Sequence, residues 1–320
     1  MKKLLITDGH SDFLEKCLDK KIHINDGNLM FNIEEAYKFK PYVQFGAIFI
    51  HTKYVKEDDT GYDRTLNMID NFEKEYMLFK DKYNLQKITS KETLNKVLLE
   101  NKIGILLSIE NLGCIGNKIS RIDELYNKGI RVMSLTWNDQ NSLASGAKVV
   151  PDTGITCFGK KCIEKMDKLG IVIDVSHLSK NSFKDLMKID PKYVVATHSN
   201  AKNIYNNVRN LDDDEIKYVA KKNGVIGINL YKYFLTDKNN YATIDDVISH
   251  ITYISNLVGV NHVGLGSDFD GVDKDDLPIG VKGVGDIDKI IDRMITRGFS
   301  NNEIEKIIGD NWFRYLSNVI

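Results

Sequence analysis

The sequence predicts an α/β fold, a (β/α)8 TIM barrel that takes in residues 1–320 as a single domain. Two observations carry this expectation. Short apolar runs recur along the chain, each ending in polar residues and followed by a helical pattern. The runs are rich in Val and Ile and nearly continuous in hydrophobicity, as parallel strands covered on both faces must be.

The apolar runs are residues 4–10, 43–50, 103–110, 132–137, 171–177, 194–198, 225–230 and 262–267, eight in all. Between the second and third, Leu66, Ile69, Phe72, Tyr76, Phe79 and Tyr83 recur at three- and four-residue steps, which makes one face of a helix apolar. Residues 211–223 form another helix, with Asp212, Asp213 and Asp214 near its start, where carboxylates complement the helix dipole. Residues 286–297 and 302–316 close the chain as helices. The alternative is an open doubly wound sheet, but no GxGxxG follows the first run, so dinucleotide binding has no support. No repeat, low-complexity segment or Pro/Gly-rich linker divides the chain.

A net charge of -1 gives no basic surface for nucleic acid or for an anionic membrane. The opening MKKLLI is followed by Thr7 and Asp8, which cut its apolar run too short for a signal sequence. Nothing approaches the roughly 18 apolar residues of a membrane span. Cys157 and Cys162 have CxxxxC spacing with no second pair, a poor structural zinc signature, and the four cysteines show no secreted-type framework. Reduced thiols and a cytoplasmic location are expected.

In a (β/α)8 barrel the chemistry sits at the carboxyl ends of the strands. The first run ends in ITDGHSD, where His10 and Asp12, two residues apart, would share one face of a strand. Taken alone, the stretch reads equally as a solvated turn. The third run ends at Glu110, the fifth at His177, the sixth at His198, and the last leads into Asp268 and Asp270. Imidazoles and carboxylates gathered on one rim, with no thiolate, are the donors of an open catalytic metal site. His51 follows the second run as a loop residue. His23, His250 and His262 read as structural or surface positions, and His262 lies at the entry of the last run, the wrong end for chemistry.

The segments DGHSD, SIENLG, LTWNDQN, IDVSHLS, ATHSNAKNIYNNVRNL, GVIGINLY and GLGSDFDG carry a resemblance over essentially the whole chain. In order and spacing they resemble the renal, or membrane, dipeptidase family, zinc metallopeptidases of family M19 with an amidohydrolase-like barrel. The resemblance implies two Zn2+ per chain. His10 and Asp12 would bind one ion, Glu110 would bridge both, and His177 and His198 would bind the second; Mn2+ or Co2+ suit the same donors. It implies Asp268 beside the metal-bound water and Arg209 on the substrate carboxylate. The chemistry is consistent with these roles. Water shared by two cations is acidified, a carboxylate can relay its proton to the leaving amine, and a guanidinium can hold a carboxylate bidentately. The substrate is then a dipeptide, L,L or with a D-residue at the C-terminal position. Without the resemblance, Arg209 reads as a surface arginine pairing Asp212 or Asp213.

One departure concerns substrate binding. Mammalian members carry a histidine after the LT of the fourth run, which helps to hold substrate and oxyanion. Here Trp137 stands in that place, as in a bacterial branch of the family. An indole N–H donates one hydrogen bond and exchanges no proton. Losing an oxyanion donor typically costs about 10²–10³ in rate. Asn138 or Asn141 is the expected replacement; alternatively Trp137 narrows the pocket or packs under the rim. The mammalian secretion and lipid-anchor signals and the dimer disulfide have no counterpart here, and the resemblance implies a noncovalent homodimer. The other readings are hydrolysis of a different small amide or lactam, and a metal-bearing relative that does not turn over.

Overall fold

The computed structural model describes residues 4–55, 59–237 and 241–320; Met1–Lys3 of the MKKLLI stretch lie outside the described residues. The strands are β1 (Ile6–Ser11), β2 (Tyr42–Phe49), β3 (Leu85–Ile88), β4 (Ile103–Glu110), β5 (Val132–Ser134), β6 (Val172–Asp174), β7 (Val194–Val195), β8 (Ile226–Ile228) and β9 (Val263–Leu265). All pair in parallel, along the path β7-β6-β5-β4-β2-β1-β9-β8. A further parallel bridge, Ala196 to Ile226, joins the two ends of that path and brings the eight strands round into a barrel. Helices cover its outer face.

The sequence shows no apolar run at β3, and the reason is local. In its four residues only Leu85 and Ile88 are buried. It pairs with Ile103–Leu106 of β4, while β5 takes Ser108 and Ile109 further along, so two strands share one edge of β4. The later strands are also shorter than their apolar runs. Hydrogen-bonded pairing stops early because the chain turns at these ends; His177 has a φ of 70°, in the left-handed region that residues other than glycine rarely adopt.

The barrel interior at the amino ends of the strands is apolar: Val43, Phe45, Leu106, Val132, Val172, Val195 and Val225 meet Trp312, Tyr315 and Leu316 of the last helix. Trp312 is fully buried and donates its Nε1–H to the carbonyl of Leu265 at 2.9 Å. Glycine makes the room for it: a Cβ on Gly264 would lie 2.3 Å from the indole nitrogen. The predicted helix at 302–316 is interrupted. Asn301–Glu305 and Asn311–Val319 flank a π-helical turn at Lys306–Asp310. There Gly309 approaches the Leu5 carbonyl so closely that a Cβ would stand 2.1 Å from it. Among the described residues no helix is long and apolar enough to cross a membrane.

Candidate active site

β1 does not bring His10 and Asp12 together by simple alternation. Asp8 pairs with Gln44 and Ser11 with Gly46, so three steps along β1 match two along β2. This bulge re-aims the end of the strand. Asp12 lies past β1, at the start of the helix Phe13–Lys20, yet its Oδ2 comes within 3.4 Å of His10 Nε2. Beneath them, buried Asp8 accepts hydrogen bonds from the Ser267 N–H (2.8 Å), the Ser267 hydroxyl (2.5 Å) and the His10 N–H (3.3 Å), tying β1 to the segment that carries Asp268.

Glu110, the last residue of β4, stands between His10 on one side and His177 and His198 on the other. Its Oε2 is 3.2 Å from His10 Nε2, and its Oε1 is 2.9 Å from His177 Nε2 and 3.9 Å from His198 Nε2. Asp268 Oδ1 lies 3.9 Å from His10 Nε2. Three overlapping groups could each hold a cation: His10, Asp12 and Glu110; Glu110, His177 and His198; and His10, His198 and Asp268. The donors fit divalent ions on two further counts. His10 Nε2 and Asp12 Oδ1 are buried without a hydrogen-bond partner. His177 and His198 turn their Nε2 atoms to within 2.9 Å of each other, an arrangement suited to two lone pairs sharing a neighbouring cation.

Electrostatics agree. Burial opposes a charge on His10, but Asp12 and Glu110 lift its imidazole well above the usual range. Burial raises Asp12 and Asp268. Glu110 resists the same burial because His10 and His177 hold it low. Burial, with the Arg209 charge, lowers His177 to about 3, and burial takes His198 well below its ordinary value. Glu110 is therefore held as a carboxylate and the rings of His177 and His198 unprotonated, while His10, charged by its acidic neighbours, would release its proton on binding a cation.

The cluster opens into a cavity of about 400 Å³ whose lining includes Phe49, Trp137, Asn138, Tyr231, Phe234 and Asp268. Surface grooves of about 520 and 500 Å³ elsewhere hold none of these ligands. Arg209 is buried beside the cluster, with its Nη2 donating weakly to the His198 carbonyl at 3.4 Å and its Nε without a partner. It does not pair with Asp212, which caps its own helix, or with Asp213, which accepts from Asn203 and Tyr253.

The sequence matches the membrane dipeptidase family, peptidase family M19, over residues 1–319. The chain belongs to that family. Two uncharacterized dipeptidases of Schizosaccharomyces pombe are similar to it. One is 35% identical over 222 residues, 67% of this chain but 52% of that protein, so the match spans about half of the relative. The other is 26% identical over 331 residues, 97% of this chain and 79% of the relative. Among solved structures, the M19 metallopeptidase dipeptidase AC superposes with a TM-score of 0.89 at 22% identity, covering 99% of both chains. A metallopeptidase from Rhodobacter sphaeroides, solved with a phosphinate mimic of the dipeptide L-Ala-D-Ala, gives 0.88 at 21% identity, covering 99% of this chain and 100% of that one. At these identities the likeness supports the barrel fold alone.

In this M19 barrel Trp137 is half-buried at the cavity wall, with its ring 5.3 Å from that of Phe49, 5.1 Å from His51 and 6.2 Å from His177. Asn138 sets its Oδ1 2.9 Å from His177 Nδ1, so it orients that imidazole while facing the cavity. Asn141 does not serve as an oxyanion donor. Its amide N–H groups go to Asn111 Oδ1 and the Leu135 carbonyl, and its Oδ1 caps the N–H groups of Leu143 and Ala144. Asp270 is likewise structural, accepting from the N–H groups of Met30 and Phe31 and from Lys16.

Two supports escaped the sequence reading although both lie in its quoted segments. Asn229 donates its Nδ2–H to Asp268 Oδ2 at 2.9 Å. Gly271 lets the carboxylates converge, since a Cβ there would lie 2.3 Å from Asp12 Oδ2 and 2.6 Å from Asp268 Oδ1.

The other histidines stay outside the cluster. His51 Nδ1 accepts the Lys53 N–H, His23 pairs with Glu75, and His262 Nδ1 meets the Gly224 carbonyl. Buried His250 accepts from the Ala201 N–H (3.1 Å) and donates to the Leu235 carbonyl (3.0 Å). Burial lowers it from 6.5 to about 4. Between those pH values the unfolded chain binds a proton that the folded chain refuses. The contribution of His250 to stability should therefore fall as pH drops from about 6.5 to about 4 and level off below, a loss of at most about 3 kcal/mol. Urea unfolding across that window, with His250→Gln showing a flatter profile, checks this.

Proposed function

We propose that this chain is a metal-dependent dipeptidase, one barrel domain over residues 1–320, acting in the cytoplasm on dipeptides with a free C-terminus. The observation that carries the reading is Glu110, whose two carboxylate oxygens face different ligand sets, 3.2 Å from His10 and 2.9 Å from His177. His10, Asp12 and Glu110 would hold one ion and Glu110, His177 and His198 a second. Zinc suits these donors, and manganese or cobalt accept them too. Bound there, the pair supplies an acidified water and polarises the scissile carbonyl.

The chain's own residues do the rest. Asn229 holds Asp268 Oδ2, which leaves Oδ1 facing the cluster to take a proton and return it to the departing amine. Arg209, a buried cation without a carboxylate partner among the described residues, grips the C-terminal carboxylate of the substrate. An anchor so near the reacting bond leaves room for one residue beyond it, which limits substrates to dipeptides. Phe49, Trp137, Tyr231 and Phe234 form an apolar wall for a substrate side chain. Turnover of both L,L- and L,D-dipeptides is supported by family membership and by the L-Ala-D-Ala mimic held in the Rhodobacter sphaeroides relative.

The test is release of amino acids by zinc-loaded protein from L,L- and L,D-dipeptides, dipeptide amides and N-acyl amino acids. Dipeptides should be cleaved and dipeptide amides poorly. Equal rates on N-acyl amino acids would favour a broader amidohydrolase. Arg209→Met should lower kcat/KM for dipeptides about 10–100-fold, the worth of one or two charge-assisted hydrogen bonds, and should erase the preference for the free acid over the amide.

A further inference from the structure

Asp174 ends β6 beneath the cluster, buried, and the proposed reaction does not use it. Its Oδ1 accepts the backbone N–H groups of Ser176 and Thr197, each at 2.9 Å. Its Oδ2 is 2.5 Å from Thr197 Oγ1. An ionised carboxylate only accepts, so the threonine hydroxyl hydrogen must point at Asp174. The hydroxyl oxygen then has lone pairs left for its other close neighbour, His198 Nδ1, at 2.8 Å. A lone pair there requires a hydrogen on Nδ1 and leaves Nε2 bare.

We infer that Asp174, acting through Thr197, is a positioning residue that locks His198 in its Nδ1–H tautomer and presents the Nε2 lone pair to the metal cluster. The fold builds the contact. β6 and β7 pair Asp174 with Val195, and Thr197, two residues on, turns to the same side of the barrel. The device is more stringent than its counterpart at His177. There the Asn138 amide could present either its oxygen or its nitrogen by turning over, whereas a carboxylate has no donor to offer. A carboxylate behind the ring, reached through one hydroxyl, also makes the far nitrogen a stronger ligand.

Asp174→Asn should reverse the chain of hydrogen bonds. Its Oδ1 still serves the two backbone N–H groups, so its amide nitrogen faces Thr197 Oγ1 and donates. The threonine hydrogen is then turned towards His198 Nδ1, and the ring hydrogen moves to Nε2. Thr197→Val removes the acceptor, while Thr197→Ser keeps it.

The inference rests on His198 being a metal ligand, so the experiment has two arms. One is nitrogen–proton correlation NMR of the imidazoles in full-length metal-free protein at neutral pH, with the His198 signal assigned by its loss in His198→Gln. The other is zinc affinity by chelator competition. Wild type and Thr197→Ser should show the Nδ1–H form, and Asp174→Asn the Nε2–H form with zinc bound about 10–100-fold more weakly. Thr197→Val should also bind zinc more weakly than Thr197→Ser, which keeps the test alive if Asp174→Asn does not fold. An Nε2–H form in wild type overturns the inference, as does an Asp174→Asn protein with the wild-type tautomer. A Thr197→Val protein that keeps the Nδ1–H form and binds zinc as Thr197→Ser does overturns it too. A tautomer that switches with no change in zinc affinity upholds the lock and contradicts the ligand role of His198.

Discussion

Asp268→Asn is expected to lower kcat on dipeptides by about 10²–10⁴, the usual worth of a general acid–base group, with metal content unchanged. The substitution keeps the shape of the side chain. Its amide oxygen can still accept from Asn229 Nδ2, the bond that now orients the carboxylate at 2.9 Å. What is lost is the atom that takes a proton, Oδ1, which faces the cluster. The φ of 64° at Asp268 is retained, since asparagine tolerates the left-handed region as well as aspartate does. Steady-state kinetics beside a metal assay separate the outcomes. A kcat within tenfold of wild type would remove Asp268 from proton transfer, and a loss of metal would make it a ligand first.

Glu110→Gln is expected to weaken both metal positions together. The carboxylate is buried and spans the two ligand sets, so its removal leaves each with one anionic donor fewer. Removing one partner of a buried charge pair costs about 3–5 kcal/mol, roughly 10²–10⁴ in affinity. The glutamine amide also presents an N–H group where a lone pair is needed, against either His10 or His177. Asp12→Asn should behave differently, weakening only the position shared with His10. Chelator competition on the two variants reports this directly: parallel loss at both positions in Glu110→Gln, loss at one in Asp12→Asn. If Glu110→Gln released a single ion and kept the other at full affinity, the carboxylate would not bridge.

Much of this was legible in the sequence because strand ends mark themselves. An apolar run that stops at His, Asp or Glu announces both a buried strand and a polar group at its carboxyl rim, and this marks His10, Glu110, His177, His198 and Asp268, which the structure brings together. The pattern fails where pairing or backbone geometry decides. β3 is hidden because half of its four residues are only partly buried. The bulge in β1 is invisible, although it, and not strand alternation, brings Asp12 to His10. The π-helical turn at Lys306–Asp310 interrupts a helix whose apolar periodicity looks continuous.

Side chains that act through others were hardest to read. Thr197, Asp174 and Asn229 are small polar residues inside otherwise apolar runs, and the sequence does not say which neighbour each one faces. The burial of Arg209 is likewise unreadable from the residues alone: without the resemblance, its proximity to Asp212 and Asp213 suggests a surface pair, yet those aspartates are engaged elsewhere and the guanidinium packs over the Phe234 ring, 5.4 Å from its centroid.

The most direct measurement is a zinc titration of the metal-free protein while following hydrolysis of an L,L- and an L,D-dipeptide. A dinuclear site joined by Glu110 predicts that turnover of both rises with added zinc and reaches its plateau at two equivalents per chain. Full activity at one equivalent would contradict the paired centre, and two bound equivalents with no dipeptide cleaved would contradict the proposed reaction.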